Sequence, residues 1–333
     1  MAKMMRALGA AILLAASAGL AQAADKVSFG TNWLAEAEHG GFYQAVVDGT
    51  YAKYGLDVTI VPGGPQADNM LLLLSGKLQF AMGDDMLQGY SAVEQKVPLV
   101  AVAAVMQKDP QVVMSHPGVG LDKFEDLKSA TIFVSKGAVA SFYRWMESAY
   151  GFSEDKVKPY TFNTAPFIAD KHSVQQGFLT SEPYAVEKQG GFKPNVFLLA
   201  DYGFSTYATT TVTTQAMVKD HPDVVQRFVD ASAIGWYNYL YGDNKKANEA
   251  IRRDNPDITD AEIAYATDKM KQYGVIDSGD TKDLGIGAMT DAKQKDFFDK
   301  MVKAGVVAAD LDYKQAYTLQ FVDKKVGLDL EPK

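Results

Sequence analysis

The chain has 333 residues, with 41 acidic against 33 basic side chains, 47% hydrophobic composition and no cysteine. Disulfides and thiolate metal sites are therefore excluded as sources of stability, which must come from buried apolar area. The formal net charge is -8, and 31 basic minus 41 acidic side chains give -10 once the first 23 residues are set aside, so nucleic acid and anionic membrane surfaces are poor partners.

Lys3 and Arg6, the apolar run Leu8 to Leu20 and the small-residue site Ala21-Gln22-Ala23 together have the form of a signal peptide, which predicts cleavage after Ala23 and export to the periplasm. The run of about 13 residues is shorter than the ~20 a membrane span needs. No cysteine follows the small-residue site to carry a lipid. Removing 23 of 333 residues leaves 310, more than a single core usually reaches, so two lobes are expected.

The alternation over Lys26 to Thr31 predicts an entering strand, a loop from Asn32 to His39 and a helix over Gly41 to Val47. Tyr54-Gly55-Leu56-Asp57 predicts a turn before a strand at Val58 to Val61, followed by a helical Asp68 to Leu74 and a strand from Leu78 to Met82. Gly83-Asp84-Asp85 is then expected just beyond that strand, and Leu99 to Val105 as a fourth strand. This rhythm predicts a largely parallel sheet covered by helices.

After His116-Pro117-Gly118 the pattern restarts. It runs through a strand at Thr131 to Val134, a helix over Ser141 to Tyr150, a strand near Lys158 to Phe162, a helical Phe167 to Gly177, a strand-like Phe178 to Thr180, and Val196 to Ala200. Thr206 to Val218 reads as one long β segment returning to the first lobe. Helices are predicted over Asp223 to Tyr241, Lys245 to Asn255, Thr259 to Tyr273 and Asp291 to Ala304. Two passages between lobes, near 105–115 and 203–216, divide the chain into a discontinuous lobe (24–110 and 212–333) and a continuous one (111–211).

Short segments in this order carry a family resemblance. They are Asn32-Trp33, Glu38-His39-Gly40-Gly41-Phe42-Tyr43-Gln44-Ala45, Tyr54-Gly55-Leu56-Asp57-Val58, Gly83-Asp84-Asp85, Glu182-Pro183-Tyr184-Ala185 and Asp201-Tyr202-Gly203-Phe204. Across essentially the whole mature chain they resemble the periplasmic substrate-binding proteins of ABC importers, in the branch that binds thiamine-pyrimidine precursors, alkanesulfonates or nitrate. The resemblance implies an α/β type II periplasmic binding protein of two α/β lobes joined by a two-crossing hinge. It also implies a small-molecule ligand, an importer permease with its ATPase as partner, no cofactor and a monomeric carrier.

In open α/β sheets ligands bind beyond the carboxyl ends of the strands. That rule, with the resemblance, selects Asn32, Trp33, Glu38 and His39 after the first strand and Asp84 and Asp85 after the third. In the second lobe it selects Lys136, Gly137, Ala138, Asn163, Glu182, Tyr184, Asp201 and Tyr202. Plainer roles compete at several of these positions. Trp33 can pack on Phe42, His39 can be a surface residue, one of Asp84 and Asp85 can cap the next helix, and 135–141 can be a tight turn. Glu36 is assigned a capping role ahead of the first helix.

No G-x-S-x-G elbow, H-E-x-x-H pair or P-loop spacing is present, and the four histidines are scattered, so no catalysis is expected. The mature chain holds only Arg144, Arg227, Arg252 and Arg253 for gripping an oxyanion. Aromatic faces beside acceptor side chains instead suit a flat heterocycle bearing N–H groups, such as a thiamine pyrimidine precursor. A binder of alkanesulfonate, nitrate or an aromatic acid is the alternative within the class. A pyrimidine-precursor synthase of the same fold is the alternative outside it; the cysteine-rich motif of such enzymes is missing.

Overall fold

The computed structural model describes residues 23–64 and 67–332. Residues 1–22, nearly all of the expected signal peptide, lie outside the described residues. No described helix is long and apolar enough to cross a membrane.

Among the described residues, ten strands form two five-stranded sheets. The first contains β1 (Asp25–Gly30), β2 (Leu56–Val61), β3 (Phe80–Asp85), β4 (Leu99–Met106) and β10 (Ala208–Thr214), in the order β2-β1-β3-β10-β4. The second contains β5 (Gln111–Ser115), β6 (Thr131–Val134), β7 (Val157–Pro159), β8 (Ser173–Phe178) and β9 (Asn195–Leu198), in the order β7-β6-β8-β5-β9. Each sheet is mixed, not largely parallel. In the first, β10 runs antiparallel to β3 and β4; in the second, β5 runs antiparallel to β8 and β9. Both antiparallel strands are the ones entered directly from the other sheet, so they arrive from the opposite side and run against their neighbours.

Several expected elements are corrected. The run 105–115, read as a passage, holds the buried interior strand β5, and the passage shrinks to 107–110. The predicted helix over Phe167 to Gly177 is a single turn, Ala165–Ala169, followed by β8, whose Gln175 and Gln176 disguised a buried strand as a polar segment. Phe178 therefore ends β8, and Thr180 lies in a turn beyond it. The long segment Thr206 to Val218 splits after β10. There the Thr214 hydroxyl accepts a hydrogen bond from the Met217 amide at 3.1 Å and starts the helix Gln215–Asp220. β10 lies wholly in the first sheet, so the return passage is 199–207 and the expected boundary at 211/212 falls inside a strand.

The core of the first sheet is aromatic. Phe228, in the helix Pro222–Tyr241, stacks on Phe80 with centroids 4.1 Å apart and on Tyr51 at 5.3 Å, and leans on Phe29 at 5.4 Å. Against the same helix lies Gly40–Val47, which opens with a glycine pair. A β-carbon at Gly40 would overlap the Tyr239 ring, one at Gly41 would overlap the Trp236 indole, and one at Gly235 would strike the Gly41 carbonyl. These glycines let two backbones meet closely, and that contact fixes the loop after β1.

Gly41→Ala is expected to lower stability by about 1–3 kcal/mol, the range for overpacking a filled core. A urea midpoint that falls at unchanged m-value checks it; an unchanged midpoint would mean that the indole moves aside freely.

Candidate functional site

A pocket of about 410 Å³ opens between the two sheets. From the first sheet's side come Leu34, Glu36 and Glu38, with Asn255, Asp257, Ile258, Glu262 and Ala266 from the carboxyl-terminal segment; from the second come Tyr160, Phe162, Asn163, Thr164, Thr180 to Glu182, Tyr184, Ala185 and Gln189. Its volume lies within the ~300–1,000 Å³ typical of small-molecule sites.

Glu182 is the best-held carboxylate. It begins the helix Glu182–Gly190, where negative charge complements the dipole. Its Oε1 accepts from the Tyr160 hydroxyl at 3.0 Å, and its Oε2 accepts from the Phe178 amide at 2.7 Å and the Ser181 hydroxyl at 2.6 Å. Gly177 has no side chain because a β-carbon there would come within 2.6 Å of Glu182 Cβ.

Glu38, only 4% exposed, faces the pocket from the other side. Burial raises its pKa first, and the charge of Glu182 adds to the rise. The Thr180 hydroxyl approaches Glu38 and tempers that rise without completing a hydrogen bond of regular geometry. Glu36 is raised well above the ordinary glutamate range by burial, then by Glu38 and Glu182. Its expected capping role is corrected: it precedes the short 3-10 turn Ala37–His39 but makes no side-chain cap hydrogen bond. Sequence reasoning missed its place in the pocket, along with Tyr160, Phe162 and Thr180.

Of the residues predicted from sequence, Glu38, Asn163, Glu182 and Tyr184 line the pocket. Trp33 stands at its margin, its ring 4.9 Å from that of Phe162 across the seam between the sheets. Phe162 holds φ at 60°, an unfavourable conformation for a non-glycine residue, and its ring is 55% exposed. Asn32 and His39 are set behind the wall. The His39 Nε2 shares a 3.3 Å hydrogen bond with the Asn32 side-chain carbonyl, and Asn32 Nδ2 donates to Asp84 at 2.9 Å. Expected as a surface residue or ligand contact, His39 is instead fully buried, and burial lowers its pKa to about 3.

The remaining candidates fall elsewhere. Lys136, Gly137 and Ala138 form the turn after β6, with the Ala138 amide on the Ser135 hydroxyl at 3.4 Å, and are not among the pocket-lining residues. Asp201 faces Lys108 at 4.0 Å, and Tyr202 stacks on Phe124 at 4.1 Å. Asp85 accepts from the Leu87 and Gln88 amides at 2.8 and 3.3 Å, which is the capping alternative. None of the four arginines lines the pocket: Arg227 pairs with Asp25 and Asp223, Arg252 with Asp260, and Arg253 with Asp254.

The sequence profile of the NMT1/THI5-like family matches residues 36–247, which include Glu36, Glu38 and the second sheet's wall of the pocket. The chain belongs to that family. Among its relatives, the riboflavin-binding protein RibY of Chloroflexus aurantiacus is 26% identical over 311 residues, covering 89% of this chain and 86% of that one. The formylaminopyrimidine-binding protein of Halalkalibacterium halodurans is 25% identical over 222 residues, covering 65% and 66%. In fold, this NMT1/THI5-like chain matches the periplasmic aliphatic sulphonate binding protein SsuA of Escherichia coli with a TM-score of 0.61 at 12% identity, covering 88% of this chain and 91% of that one. The architecture is that of a periplasmic binding protein. A desulfurization enzyme, DSZB, shares it with a TM-score of 0.54 at 14% identity, so the fold by itself does not decide between binding and catalysis.

Beside the seam, Asp85 and Asp109 form an acidic pair. Asp109 lies in the first passage and accepts from the Gln111 amide at 2.8 Å. Burial, then the charge of Asp85, raises it to about 8; burial, then Asp84, raises Asp85 to about 7. The folded chain holds these protons more tightly than the unfolded one. Stability is therefore expected to rise as pH falls from about 8 towards the ordinary carboxylate range. Asp109→Asn, which keeps an acceptor for the Gln111 amide, should flatten that rise; chemical denaturation from pH 5 to 9 checks it, and an unaltered slope would clear Asp109 of the effect.

Proposed function

We propose that this chain is the solute-binding component of an ABC importer, working in the periplasm after removal of residues 1–23. In this reading, 24–106 with 208–332 and 111–198 move as two lobes about the passages 107–110 and 199–207. They close on a small flat heterocycle rich in N–H groups, such as a thiamine pyrimidine precursor. The carrying observation is the pocket itself: among the described residues, three aromatic side chains from the second sheet's side, five carboxylates and several neutral acceptors line it, and no lysine or arginine does. Acceptors recognise N–H donors, and aromatic faces hold a flat ring by offset stacking. An anion in the same place would meet repulsion from Glu36, Glu38 and Glu182.

Two of this chain's relatives are described as binding riboflavin and a formylaminopyrimidine, both flat nitrogen heterocycles, and this supports the same choice over the sulfonate alternative. The work done is differential affinity for closed over open lobes, with no bond made or broken. A monomeric carrier that docks on a permease with its ATPase fits that role.

Native mass spectrometry of protein purified from the periplasm without denaturation, with release of any bound molecule, is expected to identify a flat N–H-bearing heterocycle. A retained sulfonate, nitrate or carboxylate would overturn the ligand assignment. For the ligand so identified, Glu182→Ala combined with Tyr184→Ala should weaken binding about tenfold to hundredfold, as for the loss of a charge-assisted hydrogen bond. Unchanged affinity in calorimetry would place the site elsewhere.

A further inference from the structure

We infer that the ligand enters as a planar organic monocation, an amidinium, guanidinium or ring-protonated aminopyrimidine, and that its charge permits the lobes to close; this rests on the binding-protein reading above. Glu36 and Glu38 reach the pocket from the segment after β1, and Glu182 reaches it from the second sheet. The nearest imidazole, His39, lies 3.9 Å from Glu36 and is kept neutral by burial. Glu262, on the helix Asp260–Gln272, is occupied with its own cap, accepting from the Thr259 amide and hydroxyl at 2.8 Å each, and Asp257 lies on the exposed rim. Three facing carboxylates are thus left without a cation.

Closing the empty cleft sets the charge of Glu182 against Glu36 and Glu38, where partial desolvation strengthens the repulsion. Burial first, and the neighbouring carboxylates second, raise the pKa of Glu36 and Glu38, so the empty site favours their protonated forms. A bound cation would relieve the repulsion directly and displace a proton.

A separate observation also points to a missing guest. The Thr180 hydroxyl lines the pocket, is 3% exposed and, although it approaches Glu38, completes no hydrogen bond of regular geometry. A ligand N–H would satisfy it and a neighbouring carboxylate together. Tyr160, Phe162 and Tyr184 supply ring faces that attract a flat cation. A bare metal ion suits the site poorly: no described group of acidic or histidine side chains has metal-ligand spacing, and about 410 Å³ is far more room than an ion fills.

The test is calorimetry with three flat probes of one shape and different charge: benzamidine, benzamide and benzoate. Benzamidine is expected to bind at least about tenfold more tightly than benzamide, the loss typical of a charged hydrogen bond, and benzoate to give no heat. Near pH 6.5, comparing phosphate with Bis-Tris buffer should show proton release on benzamidine binding. Glu36→Gln with Glu38→Gln, checked for folding by circular dichroism, should erase the preference for benzamidine over benzamide. If benzamide or benzoate binds as tightly as benzamidine to the unaltered protein, the charge requirement falls and the cleft remains a solute site. If no probe gives heat or compaction by small-angle scattering, both readings fall.

Discussion

The chain must pass twice between its sheets, and every functional feature follows from where those passages lie. One lysine holds both of them. Lys293, in the helix Asp291–Lys303, donates from Nζ to the Gln107 carbonyl in the first passage and sits 4.1 Å over the ring of Tyr207 in the second. Burial lowers its pKa to about 8. Tyr207 in turn donates to Asp280 at 3.0 Å and accepts from the Thr290 amide at 2.9 Å, and Gln107 Nε2 donates to the Ala288 carbonyl at 3.0 Å. The carboxyl-terminal segment therefore anchors the ends of both passages on the side of the first sheet. Motion between sheets is left to the few residues that lead onward, Lys108 to Pro110 and 199–206.

That arrangement explains why the fold was more legible in the sequence than the site. The glycine pair Gly40-Gly41 and the long amphipathic Pro222–Tyr241 helix carry local signals that tertiary contact then uses. β5 and β8 carry weaker ones: one is an apolar run beside a passage, the other a buried strand holding two glutamines, and each is defined by its partners across the sheet. Among site residues, Glu182 and Tyr184 were visible because they open a helix after a strand. Tyr160, Phe162 and Thr180 were not, because the strands before them were misplaced by several residues and because their role depends on a wall supplied from more than a hundred positions away. Glu36 looked like a helix cap, and only the approach of Glu182 from the other sheet shows that it shares a desolvated site.

The same geometry separates specificity from fold. This chain overlays a sulphonate-binding protein along most of its length, yet its pocket presents carboxylates where an anion would need donors or positive charge. The scaffold supplies the seam between the sheets, and side chains on loops after β1, β7 and β8 line the pocket there. On the first sheet's side, the aromatic core around Phe228 and the Gly41–Trp236 contact are built without any pocket-lining side chain.

A delivery protein must remain open when empty, since an empty closed form would occupy the permease without cargo. Apolar burial at the seam favours closure regardless of ligand: Trp33 meets Phe162, and Tyr184 meets Tyr265 at 5.2 Å. Something must oppose it, and the cost of enclosing Glu36, Glu38 and Glu182 together, through desolvation, repulsion or the proton uptake that relieves it, has the required sign. Its size need not be large. A cost of about 1.4 kcal/mol on the empty closed form already shifts the open-to-closed ratio tenfold, and a ligand that removes the cost gains that factor as differential affinity. Aromatic attraction and carboxylate repulsion are therefore complementary in this cleft, the first supplying affinity and the second making closure conditional on what is bound.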